Sequence, residues 1–262
     1  MSETAPFGMA RREAAAPSRR EAAAPPRRPT AGPSWRASAA PFGRSTAAPP
    51  RRAGRTLPAV TAATCLLVAT YAVLLLAAPA LRPPLVQARF DYYPIATAVH
   101  LAAGALVIAL APMQWSVRIR RRHATLHRWG GRGYAAGVLL AGVAGLSLAT
   151  VSQGGVPAHL GFGLLSVAWL GTTGAGVARI LAGDPSGHRR WMVRSIALTL
   201  AAVTLRIYIP LGVVLGLPAE PSYRAIAWLC WVPNLLVAEW WLRRRRGEGR
   251  DSAAVDAVPA NA

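Results

Sequence analysis

Four of the chain's five histidines fall into a repeated pattern. His100 opens the phrase "HLAAGAL" and His159 opens "HLGFGLL", both reading H-L-x-x-G-x-L. His127 opens "HRWGGRGY", 27 residues after His100, and His188 opens "HRRWMVRS", 29 residues after His159. Imidazoles that recur in register support two kinds of chemistry. Facing each other across a helical core, they supply the opposite axial positions of six-coordinate haem iron, and two such pairs would hold two haem b groups. The same residues also serve as interhelical hydrogen-bonding groups, and a histidine beside arginines at a helix mouth reads equally well as a headgroup contact. Both readings stand at this point.

The cations that haem propionates require are in place. Arg128 follows His127, and Arg189 and Arg190 follow His188. For the other pair the candidate is Arg206, which lies inside an apolar run, where a charge is costly and turns to the protein interior. Gly104 and Gly163, about one turn beyond His100 and His159, leave room for a flat ring against the helix. His123 stands outside the repeat and reads as a surface or lipid-contacting residue. Thr199, Thr204 and Asn234 read as interhelical hydrogen-bonding groups, and Glu239 as the partner of an arginine in the C-terminal cluster. A second functional class remains open: a haem-free membrane protein that binds or transports a lipid or small anionic solute in its bundle, with Arg206 as the anion contact.

The elements that position these residues follow from hydropathy. The chain is 53% hydrophobic with mean hydropathy +0.30, and six apolar stretches fall near residues 57–80, 93–115, 134–151, 158–181, 195–215 and 223–242. Each is close to the roughly 20 residues a helix needs to cross the hydrocarbon core, and none shows the alternation of a barrel strand. The fold class is therefore all-α: a polytopic integral membrane protein with six transmembrane helices. The second and third stretches repeat as the fourth and fifth in the same sense, which predicts a four-helix core with a pseudo-twofold axis along the membrane normal. That symmetry sets His100 opposite His159 near the outer face and His127 opposite His188 near the inner face.

All 30 basic residues are arginine and the net charge is +20, which in so apolar a chain favours anionic lipid over nucleic acid. No phosphate loop, metalloprotease motif, nucleophile elbow or zinc spacing appears. Cys65 and Cys230 lie in apolar runs and read as small buried hydrophobes rather than a disulfide. Residues 1–56, an Ala/Pro/Arg-rich segment with eleven arginines against three glutamates, read as a disordered cytoplasmic tail. Residues 57–242 form the membrane domain and 243–262 a basic C-terminal tail. The first apolar stretch is expected to remain as an anchor rather than be cleaved as a signal peptide.

Three phrases, "HLAAGALVIALAPMQW", "HRWGGRGY" and "HRRWMVRSIALTLAAVTLRIYIP", resemble the signatures of an uncharacterised family of bacterial predicted membrane proteins, a domain of unknown function, over roughly residues 60–245. That resemblance implies no activity. In histidine placement, though not in any stretch of sequence, the chain is also similar to the ascorbate-dependent transmembrane cytochrome b family. That family has six helices and two haems, with ligands from helices two and four at one face and three and five at the other. The similarity implies His100 with His159 and His127 with His188 as axial ligands, and electron transfer with a quinone or small reductant.

Arginine placement sets the expected orientation. Arg118, Arg120, Arg121, Arg122, Arg128 and Arg132 crowd the link between the second and third stretches, Arg189, Arg190 and Arg194 precede the fifth, and Arg243 to Arg246 follow the sixth. The opposite side carries only Arg82, Arg89 and Arg224, partly balanced by Asp91 and Glu220. Both termini are thus expected in the cytoplasm, with the protein in a bacterial inner membrane. A reporter fused after Arg246 should act in the cytoplasm and one inserted at residues 154–157 should act outside. The reverse pattern would invert the assignment of faces.

Overall fold

The computed structural model describes the backbone of residues 53–256 and the side chains of residues 58–245. In chain order the helices are α1 (Ala53–Ala77), α2 (Pro84–Tyr92), α3 (Pro94–Trp115), α4 (Val117–Arg122), α5 (Ala124–Ala149), α6 (Gly155–Leu181), α7 (Pro185–Thr199), α8 (Ala201–Val214), α9 (Ala219–Leu229) and α10 (Val232–Asp256), with a 3-10 turn at Pro79–Leu81. Six segments are long and apolar enough to cross a membrane: α1, α3, α5, α6, α7 continued by α8, and α9 continued by α10. The expected all-α, six-span fold is present. Helices α2 and α4 are short connectors that hydropathy alone did not reveal.

The core is a ring. Helix α3 packs on α5, α5 on α6, α6 on α7, and α7 closes back onto α3, so the second to fifth spans form the expected four-helix centre. Helix α1 lies against α3 and α8, while α9 lies against α6 and α10 against α7. Val107, Ala111, Tyr134, Val138 and Ile196 fill the middle of the ring. Cys65 and Cys230 are buried free thiols, as expected.

Two spans are broken in the middle, each for an identifiable reason. Between α7 and α8, Thr199 returns its hydroxyl to the Ser195 carbonyl at 3.0 Å. Such back-bonding competes with the helix ladder at the point where α7 ends. Between α9 and α10, Pro233 has no N–H to offer the Leu229 carbonyl, and the ladder lapses around Cys230 and Trp231.

Helix starts also shift from expectation. Asp184 caps α7 by accepting the Gly187 N–H at 2.7 Å, with Pro185 in the first turn, so the fifth span begins at Pro185 and takes His188 into its opening turns. Helix α5 likewise begins at Ala124 and carries His127. The segment 1–56 lies outside the described residues except from Ala53, where α1 is already helical, and α10 continues through residues 243–256.

Close contact between helices rests on small residues. At Gly161 a Cβ would lie 2.9 Å from the main-chain oxygen of Ala227 and 3.1 Å from its carbonyl carbon, so α6 approaches α9 backbone to backbone with no slack. A Cβ on Gly171, further along the same helix, would meet nothing within 4 Å. Gly161→Ala should therefore cost about 1–3 kcal/mol, read as a lowered unfolding temperature in detergent, whereas Gly171→Ala should cost nothing measurable. Equal behaviour of the two variants would contradict this packing.

Candidate functional site

Hydrogen bonds fix where each predicted histidine sits. His100 donates from Nδ1 to the Ala141 carbonyl of α5 at 2.9 Å, since a carbonyl only accepts, and its Nε2 is left as the lone-pair nitrogen. Its ring lies against Gly145, where a Cβ would come within 3.0 Å of two ring atoms and 3.2 Å of the Ser166 hydroxyl. His159 donates from Nε2 to the Ser152 carbonyl at 2.9 Å. On α6, residue 166 beside the His100 ring and His159 are seven residues apart, which is about 10 Å along a helix. The two histidines therefore lie at different depths. The repeat predicts one level, but α6 leaves a tight loop at Gly154 while α3 begins only after the extra helix α2, so equal sequence spacing does not become equal height.

A cavity of about 260 Å³ opens beside His100 and extends between α1, α3, α5, α6, α8 and α9. Arg89, Arg206, Ser166, Trp169 and Thr199 also line it; His159 and Gly163 do not, while Gly104 does. Arg206 donates through one terminal nitrogen to the Ala202 carbonyl of its own helix at 3.0 Å and stands 5.7 Å from the Tyr71 ring centre. Its Nε is buried with no partner. The cavity's second guanidinium, that of Arg89, reaches it from α2, whose end is tied to α3 by the Thr97 hydroxyl donating to the Arg89 carbonyl at 3.0 Å. The acids on the neighbouring segments lie at exposed positions: Asp91 accepts from Gln87 at 2.7 Å and Glu220 pairs with Arg224 at 2.5 Å. The outcome is a pocket with two cations, an imidazole and hydroxyls, and no carboxylate among its described lining residues.

Two of the pocket's lining residues, Trp169 and Thr199, belong to a buried hydroxyl network. Tyr134, with no exposed surface, meets the Thr199 hydroxyl at 2.6 Å and the Ser195 hydroxyl at 2.8 Å. Trp169 donates its indole N–H to Thr199 at 3.0 Å, and Thr173 meets Ser195 at 2.7 Å and donates to the Trp169 carbonyl at 2.8 Å. Helices α5, α6 and α7 are locked together at this level. The expectation for Thr199 is met, as are those for Thr204, which donates to the Cys230 carbonyl, and Asn234, which donates to Thr204 at 3.3 Å.

At the arginine-rich end, His188 donates from Nδ1 to the Gly176 carbonyl at 2.8 Å, again leaving Nε2 open. His127 lies within electrostatic reach of His188 at this end of the bundle. With the Gln114 amide turned to satisfy its neighbours, its NH₂ group donates to His127 Nδ1 at 3.0 Å and its oxygen accepts from the Gly131 N–H at 3.0 Å. That arrangement leaves the proton of His127 on Nε2. Arg128 and Arg189 are exposed and Arg190 is half-buried, and His123 is exposed as expected. Glu239, expected to pair within the C-terminal cluster, takes Arg194 of α7 as a two-pronged partner, with one contact at 2.9 Å.

Arg89, Ser166, Trp169, Tyr134 and Ser195 were missed as site residues. Arg89 was read only as a topological charge; the prolines at 83, 84 and 94 that bracket its segment were the available sign of a separate short helix. Tyr134 was read only as an end of a span.

A bundle of six apolar spans with a polar, cation-lined pocket defines a polytopic α-helical membrane protein. The family described as "Predicted membrane protein (DUF2306)" matches residues 97–242, and the chain belongs to that family. The match runs from near the start of α3 into α10 and thus takes in the whole four-helix core. No curated protein and no solved structure matches the chain, so the likeness to transmembrane cytochromes b has no support beyond histidine placement.

Two outcomes check this geometry. Tyr134→Phe should cost about 1–3 kcal/mol of stability, because Ser195 and Thr199 lose a shared buried partner; an unchanged unfolding temperature would contradict the network. Asp184 is held below the usual carboxylate range, first by the Gly187 N–H it accepts and then by the Ser186 hydroxyl, with Arg179 and Arg190 nearby. Its stabilising effect is present above the ordinary carboxylate pKa and is lost as pH falls through the lowered folded-state value. The stability gap between the wild type and Asp184→Ala should therefore narrow on acidification, and a gap independent of pH would contradict the cap.

Proposed function

We propose that this membrane protein binds a small anionic solute in the cavity beside His100, on the side of the bundle away from the arginine clusters. The observation that carries this reading is the buried Nε of Arg206, which has no partner and belongs to a cavity-lining side chain. A guanidinium held at that depth is costly unless a negative group answers it. Arg89 adds a second cation, and the Ser166 and Thr199 hydroxyls supply neutral contacts. At about 260 Å³ the space lies just under the usual range for small organic ligands, roughly 300–1,000 Å³. Following the arginine bias, the cavity belongs to the outer half of a bacterial inner membrane, with both termini cytoplasmic.

A second reading retains haem b, possessed of one specific support: His100 and His188 each give Nδ1–H to a main-chain carbonyl, the arrangement that prepares Nε2 as an iron ligand. His100 would then help hold one haem, with Arg206 and Arg89 as the cations for its acidic groups, and His188 with His127 would hold the other. When bound, haem supplies one-electron transfer, here with a quinone or small reductant. The different depths of His100 and His159, and the Nε2 proton on His127, count against both bis-histidine pairs.

Purified protein in detergent, titrated with benzoate and with phosphate, should show saturable stabilisation beyond that given by chloride. Arg206→Gln should weaken the effect about tenfold or more, the loss of one charge-assisted hydrogen bond. Absence of stabilisation by either anion would remove the first reading. A bis-histidine haem spectrum in protein from haem-replete cells, lost in His100→Ala, would replace it with the second.

A further inference from the structure

A second cavity, of about 1060 Å³, lies toward the arginine-rich end between α1, α3, α7 and α10, away from the pocket that holds Arg206. Its wall is apolar, built from residues such as Cys65, Pro112, Ile196 and Ala197, and its rim is aromatic, with Trp240 and Trp241. Arg244 stands over the Trp240 ring at 4.0 Å and Arg245 over the Trp241 ring at 4.7 Å. The neighbouring acid of α10, Glu239, is engaged by Arg194 of α7. A large apolar chamber therefore ends in a cationic, aromatic collar at the depth where headgroups lie.

We infer that this chamber holds the hydrocarbon chain of an anionic membrane lipid, drawn from the leaflet on the arginine-rich side, with its headgroup at Arg244 and Arg245. Charge selects this occupant. The chain's own first 56 residues carry eleven arginines against three glutamates, and a second copy would present the same arginine collar, so each would bring like charge to the rim. A zwitterionic lipid gains the apolar contact but not the charge. Basic pockets between transmembrane helices recognise anionic headgroups in this way, and each arginine near the surface is worth about a fivefold preference.

The experiment uses the full-length protein in mild detergent, exposed to equimolar phosphatidylglycerol and phosphatidylethanolamine, with retained lipid counted by native mass spectrometry. Phosphatidylglycerol should be retained at least about fivefold over phosphatidylethanolamine. Arg244→Gln with Arg245→Gln, two changes at exposed positions, should bring the two lipids toward parity without unfolding the bundle. Ala197→Phe, which fills the chamber, should reduce retention of both. Equal retention by the wild type, or an unchanged preference in the double arginine variant, would overturn the proposal. A gain in lipid retention on deleting residues 1–50 would overturn it too, by making the N-terminal segment the occupant.

Discussion

Hydrocarbon offers no hydrogen-bonding partner, so a polar side chain within a span must be answered by another part of the protein. This constraint sets the register of the whole bundle. The Tyr134, Thr199, Ser195, Thr173 and Trp169 network fixes α5, α6 and α7 at one level, Thr204 and Asn234 join α8 to the break before α10, and Arg194 with Glu239 joins α7 to α10. Shape fills the rest, with Gly161 and Gly137 admitting neighbours where any Cβ would collide. Among the described residues, one buried side-chain nitrogen departs from the rule, the Nε of Arg206.

That exception gains meaning from its surroundings. An unpartnered guanidinium nitrogen on an apolar surface would be a defect, but this one belongs to a side chain that shares a cavity with Arg89, His100 and several hydroxyls, and no carboxylate is among the described lining residues. The break between α7 and α8 belongs to the same arrangement. Thr199, which returns its hydroxyl to Ser195, and Thr204, which donates to Cys230, lie on either side of the turn that leads to Arg206. The helix distortion and the site thus arise from the same short stretch of sequence.

Much of the architecture was legible because it depends on quantities additive along the chain. Hydropathy locates six spans, and the repeated H-L-x-x-G-x-L phrases identify spans two to five as the core. Arg206 was legible as a charge inside a span. Depth was not: His100 and His159 occupy equivalent places in the repeat, yet α3 follows the extra helix α2 and α6 follows a tight turn at Gly154, where φ is +88°. The cavity shared by Arg206 and Arg89 and the partner of Glu239 were also hidden, since Arg89 lies 117 residues before Arg206 and Arg194 lies 45 before Glu239. Such pairings are made by helix packing, which spacing along one helix does not encode.

The central claim is that Arg206 Nε–H is reserved for an anionic group from outside the chain. Its most direct test is nuclear magnetic resonance of protein labelled with ¹⁵N-arginine, with the Arg206 Nε signal assigned by its disappearance in Arg206→Lys. Titration with a small carboxylate such as benzoate should move that signal saturably, and equal chloride should not. A signal that stays fixed, or that moves only in step with the exposed arginines as ionic strength rises, would contradict the account.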